Sequence, residues 1–242
     1  MTRHRRALLV AVVLVATVGC LGFLMGSQAL EFSANETVVS DAALDETGYQ
    51  EAGNQTVRNV VNITVAGQTR QANLTSYRYT YNRTVDASEV DGDTLGVLPE
   101  NTTVAEPPEN DTGGAGNATV PGANTSDGVT FSVLAMPNAR VGGQSVNPLA
   151  SVSPEGLVRR LLETGNTSVR FEGNRTVSSL GGERTVSTFR LEGETNASDV
   201  MVHVATFDAG TDFVITFAVH PGVIDEQDRV DTLIAGLEQP FV

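Results

Sequence analysis

Lysine and tryptophan are absent from this chain, and one cysteine occurs in 242 residues. Each absence excludes something. A single thiol, Cys20, cannot close an intramolecular disulfide, so no cystine framework holds the fold. With no tryptophan and aromatic residues at only 5%, the core has to be mostly aliphatic. Arginine is the only strong base: all 15 Lys+Arg positions are Arg, against 29 Asp+Glu, for a formal net charge of −14. So negative a surface repels phosphate, which excludes nucleic acid as a partner. Acid excess without lysine is the surface that molar salt favours. Such salt screens repulsion within a few ångströms, and carboxylates stay hydrated where apolar patches salt out. The composition implies a protein of a halophilic archaeon.

Chemistry-bearing motifs are missing too. There is no Gly-x-Ser-x-Gly, Walker loop, CxxC pair or zinc-binding helix motif. Asp91-Gly92-Asp93-Thr94 has the look of a calcium-loop fragment but lacks the later bidentate Glu. No catalytic residue, cofactor or metal ligand is therefore assigned, and the expectation is that the protein is not an enzyme.

What is present starts at the N-terminus. Arg5 and Arg6 precede an apolar run that ends Gly19-Cys20. The twin arginine resembles a Tat export signal, and Gly19-Cys20 resembles a lipobox. On this reading residues 1–20 are a signal peptide with lipobox, and Cys20 carries a lipid that holds the protein on the extracytoplasmic face of the membrane. The apolar run continues through Leu21, Phe23, Leu24 and Met25, so a retained N-terminal helix is the alternative anchor. Residues 21–39 are expected as a tether and 40–242 as one domain.

Asn-x-Ser/Thr recurs at Asn35, Asn54, Asn62, Asn73, Asn82, Asn166, Asn174 and Asn196, and at Asn101, Asn110, Asn117 and Asn124. The last four fall in residues 86–127, a stretch of Asp, Glu, Gly, Pro, Asn and Thr with few large apolar side chains. It is expected to be a disordered, glycosylated insertion.

The rest alternates in a readable way. Ser40 caps a short helix, and strands are expected at 56–66, 74–84 and 129–136. Ser153-Pro154 opens a helix whose stripe is Leu157, Val158, Leu161 and Leu162. Strands follow at 167–177, 183–192, 199–207 and 212–219. A last amphipathic helix spans 225–238, with Val230, Leu233, Ile234 and Leu237 on one side. In the final hairpin the loop Asp208 to Asp212 suggests Phe207 opposite Phe213. That register puts His203 in the core and sets His220 opposite Val200, so the two imidazoles stay apart, with His220 at a strand end. Asp208 and Asp212 read as solvated turn residues. Both faces of the hairpin are apolar, which places it mid-sheet under helices.

The Cys20-Leu21-Gly22-Phe23-Leu24 stretch, Leu44-Asp45-Glu46-Thr47-Gly48-Tyr49, Asn147-Pro148-Leu149 and the segments around His203 and His220-Pro221 resemble an uncharacterised family of haloarchaeal lipoproteins. The order of elements is similar, at fold level, to the PsbP-like α/β/α sandwich. The resemblance implies an α+β fold, a mostly antiparallel sheet covered by helices, and no assigned activity. The function expected from all this is a surface-anchored, non-catalytic envelope protein that binds a small molecule or lipid. The alternative is a structural or assembly factor docking another envelope protein.

Overall fold

The computed structural model describes residues 29–65, 68–85, 129–162, 164, 167–192 and 199–240. The export signal with Arg5, Arg6 and Cys20, the calcium-like Asp91 and Asp93, and Asn101, Asn110, Asn117 and Asn124 lie outside them. Among the described residues, no helix is long and apolar enough to cross a membrane.

Among the described residues twelve strands and three helices follow one another. Strands β1 (Leu30–Ser33) and β2 (Val38–Val39) precede helix α1 (Asp41–Thr47). Two long strands, β3 (Gln50–Val65) and β4 (Gln68–Arg83), form a ribbon, and β5 is Val129–Pro137. A small hairpin, β6 (Arg140–Val141) and β7 (Gln144–Ser145), leads to α2 (Pro154–Leu161). Then come β8 (Val169–Ser179), β9 (Gly182–Leu191), β10 (Val200–Ala209), β11 (Asp212–Pro221), α3 (Gln227–Ala235) and β12 (Leu237–Glu238).

Eight of these strands make one sheet in the order β3-β4-β5-β11-β10-β9-β8, with β1 beside β4. Strand β3 pairs along almost all of β4. The opposite edge of β4 is shared end to end by β1, at Ala72 to Thr75, and β5, at Tyr77 to Arg83. The β1–β4 pair is parallel and the others are antiparallel, so the sheet is mixed.

The expected α/β/α sandwich is not what the chain forms. Among the described residues strand makes up 59% and helix 15%, and the described helices have only 7, 8 and 9 residues. Two turns of helix cannot cover strands of 10 to 16 residues. The fold is a large mixed sheet with short helices laid locally against it. All three expected helices are present, but the last ends at Ala235, and Leu237–Glu238, expected as its final turn, is strand β12 paired with β2; none of the helices is long enough to form a layer. Part of the expected tether also belongs to the sheet, because Leu30–Ser33 is a strand.

Local chemistry explains the helices. Ser40 Oγ accepts from the Ala43 amide at 3.4 Å, and Ser153 Oγ from the Gly156 amide at 3.1 Å. Each such cap is worth about 1 kcal/mol. Leu157, Val158 and Leu161 of α2 pack with Val202, Val204, Ile215 and Phe217 on one sheet face. Val230, Leu233 and Ile234 of α3 pack with Phe131, Val214 and Ala218 on the other. Every position of β5 and β11 is buried, which fits their near-continuous apolar sequence. Where α1 meets α3, Gly236 is obligatory: a Cβ there would stand 2.4 Å from Ala43 Cβ.

Both described chain ends are tied to the hairpin tip. Asp212 is fully buried, and its Oδ2 accepts from the Asn35 backbone amide at 2.9 Å, Asn35 Nδ2 at 2.8 Å and Gln239 Nε2 at 3.2 Å. Asp208 faces the other way and accepts from Asn138 Nδ2 at 2.8 Å. Asp212 is thus a clasp and not the solvated turn residue expected. Asp212→Ala should cost about 2–3 kcal/mol by stranding those donors. Hydrogen exchange should quicken first at 35–39 and 237–239; unchanged exchange there would remove the clasp assignment.

A buried polar row beneath helix α3

The sheet face under α3 carries a line of polar side chains from β8 to β4. It begins with register. Ala209 pairs with Asp212 across the two-residue turn Gly210-Thr211, with Gly210 at φ +60°. A two-residue hairpin turn favours such positive φ, which glycine adopts without strain. The pairing is therefore Phe207 with Val214 and Met201 with His220, one residue away from the expected register. A slip of one residue moves side chains to the other face. His203 and His220 consequently share a face and meet.

Their rings are nearly parallel, 10° apart with centroids at 5.1 Å, and Nε2 lies 2.9 Å from Nε2. The two nitrogens face each other within a hydrogen bond. Arg175 Nη1 lies 2.9 Å from Thr188 Oγ1 and 3.0 Å from His203 Nδ1, and Thr188 Oγ1 is also 3.0 Å from that nitrogen. Guanidinium only donates, so His203 Nδ1 accepts and the ring's proton is assigned to Nε2. That proton is given to His220 Nε2, which leaves the proton of His220 on Nδ1, donated to the Pro221 carbonyl at 2.9 Å. The partners thus fix both tautomers.

Both rings are buried, each 4% exposed. Burial, then the neighbouring His220 and Arg175, pushes His203 down to about 3. Burial also lowers His220, against the opposing pull of the Pro221 carbonyl and of Glu226 and Asp225. The pair is neutral at neutral pH. A contact of 2.9 Å is a hydrogen-bond spacing; two nitrogens on one tetrahedral zinc stand roughly 3.3 Å apart. Among the described residues no group of three His, Cys, Asp or Glu side chains gathers.

Helix α3 is pinned at two points. Asp231 Oδ1 takes Arg175 Nε at 2.7 Å. Glu226, just before the helix, is 0% exposed, and its carboxylate takes Arg83, Arg229 Nη1 at 3.3 Å and the Tyr49 hydroxyl at 3.1 Å. Burial, and next the Glu226 charge, drives the Tyr49 hydroxyl far above its ordinary value. The two halves adjoin, since the Glu226 charge reaches His220.

The expectations of a buried His203 and of His220 near a strand end agree with the structure; the expectation that the two imidazoles stay apart does not. Arg83, Arg175, Glu226, Asp231 and Tyr49 were missed. A usable signal existed: Arg83 continues the face of Tyr79 and Tyr81, and Arg175 that of Val177. A charge at a position that alternation marks as inward needs a buried partner.

Chemically the row can order, orient and hold. His203 Nδ1 receives Arg175, and His220 Nε2 receives His203, so each imidazole lone pair is engaged. Residues 36–238 match a family model described as a domain of unknown function, DUF6517. No curated protein matches the sequence.

Proposed function

This chain belongs to the DUF6517 family, and from that premise we propose that it is a non-catalytic envelope protein of a halophile, held outside the membrane through Cys20, which works by docking another envelope protein. One observation carries the choice. The convergent polar groups that a ligand cleft would use are engaged with one another beneath α3: Asp231 with Arg175, His203 with His220, and Glu226 with Arg83 and Tyr49. Arg175 Nη2 and Thr216 Oγ1 on this face are buried without a hydrogen-bond partner among the described residues, but the charged groups and imidazoles of the row are paired with one another, and such pairing fixes a helix on a sheet. This favours the docking role over the small-molecule or lipid role expected from the sequence. The acid excess and the absence of lysine support the saline setting, and Gly19-Cys20 supports the anchor.

The test is cross-linking and co-purification of the full chain from intact membranes in molar KCl. A protein partner in fixed ratio is the expected result. A lipid or small molecule bound in fixed ratio without a protein would replace this reading with the ligand-binding one. A chain that stays in the cytosol would overturn the envelope assignment.

A further inference from the structure

Strands β3 and β8 are the outermost strands of the sheet, and among the described residues neither has a second neighbour. They are long, 16 and 11 residues. An open edge of that length templates pairing with another copy unless something blocks it. The common blocks are scarce here. Neither strand contains proline, the chain has no lysine, and each strand has one bulge, near Gly53 and near Gly173. Exposed charges such as Arg58 and Glu172 remain, but molar salt screens them within a few ångströms.

Each edge also exposes a large apolar side chain, Val60 at 57% on β3 and Phe171 at 53% on β8. Beside each, on the same face, stands an Asn-x-Thr acceptor. Val60 shares its face with Asn54 and Asn62 by strand alternation. Phe171 pairs with Phe189 and Asn174 with Ser187, so Phe171 and Asn174 also share a face. All three asparagines are exposed, as are Thr56, Thr64 and Thr176 two positions on. Extended backbone turns each amide and its hydroxyl to the same side. Ser187 Oγ holds Asn174 Oδ1 at 2.8 Å, whereas Asn54 Nδ2 rests on the exposed Glu51 carboxylate at 2.8 Å.

We infer that Asn54, Asn62 and Asn174 are N-glycosylated and that these glycans cover Val60 and Phe171 and keep the two sheet edges from pairing with other copies. The inference rests on the extracytoplasmic reading above. The donor is a glycan activated on a polyprenyl phosphate, and a membrane transferase supplies the base. Asparagine Nδ2 attacks the anomeric carbon, forming C–N as the C–O bond to phosphate breaks. The lipid phosphate leaves with the electron pair, and the amide proton passes to the base. Asn73 is the internal comparison: it is half-buried on the interior strand β4, with its amide on Glu31 at 2.7 Å, so its occupancy is lower.

The experiment expresses the full chain in a glycosylating archaeal host, locates it by protease shaving of intact cells, maps glycopeptides by mass spectrometry and sizes the protein by light scattering in molar KCl. Glycans at the three asparagines are expected. The triple variant Thr56→Ala, Thr64→Ala, Thr176→Ala should lose them and shift to dimers or larger species, while Thr→Ser at the same positions keeps both glycans and size. A surface-located protein bare at these asparagines overturns the sites and leaves the envelope reading standing. Glycans present but a triple Ala variant of unchanged size overturns the guarding role. A protein found inside the cell overturns the envelope reading and this inference with it.

Discussion

Arg83→Ala should cost the fold about 3–5 kcal/mol, the range for removing one partner of a buried ion pair. The expectation follows from Glu226, which is 0% exposed and relies on Arg83 for its most buried cation; Arg229, its other one, is 38% exposed. Once the guanidinium is gone, a carboxylate sealed under the start of α3 keeps, among the described residues, the Tyr49 hydroxyl and that half-exposed arginine. Urea denaturation at fixed KCl, followed by far-UV circular dichroism, gives the number. The paired variant Arg83→Met with Glu226→Leu should be much milder, because both charges leave together and the volume is kept. A loss below about 1 kcal/mol for Arg83→Ala would remove the pinning role given to this pair.

Acid should destabilise the protein through His203 and His220. Both folded-state values lie below the unfolded value of about 6.5. The unfolded chain then binds protons that the folded chain refuses. The stabilisation from the neutral pair is therefore complete above that value and is lost as pH falls from about 6.5 toward 3, the level to which burial pushes His203. The limiting slope is about 1.4 kcal/mol per pH unit for each buried neutral imidazole. Comparison with His203→Gln/His220→Gln subtracts the carboxylate background that both proteins share. The wild type should lose more stability than the variant between pH 6.5 and 4.5. Parallel pH profiles for the two proteins would show that the pair does not titrate in this way.

Periodicity made much of the sheet legible. Val129 to Met136 and the four strands from β8 to β11 alternate or run apolar, and the structure has strands there. The Ser153-Pro154 start of α2 was legible because cap chemistry is local. The first third of β3 was not. Gln50 to Gln55 is polar and exposed at the edge, so no inward face imprints a pattern. Strand β1 gave too short a signal to read, four residues whose partners each lie 42 positions away.

The histidine pair was illegible for a different reason. Both faces of β10 and β11 are apolar, so a shift by one residue leaves the hydrophobic pattern equally good. Only the turn decides. A five-residue loop from Asp208 to Asp212 separates the imidazoles, and the two-residue turn at Gly210-Thr211 joins them. The arginine–carboxylate contacts lay beyond reach because Arg83 and Glu226 are 143 positions apart.

The parallel strand β1 has a mechanical meaning. A pull on the chain ahead of Leu30 acts along β1, whose partners Ala72 to Thr75 on β4 run in the same direction. Such a load slides one strand along the other and strains all four register pairs together, where a peeling load would break them one by one. At the far end of β1 the Asn35–Asp212 contact takes up the remaining tension and passes it to the buried β10–β11 hairpin. Rupture under force is set by the unfolding barrier. A pull through the N-terminal end of β1 thus loads this pair in shear rather than in peeling.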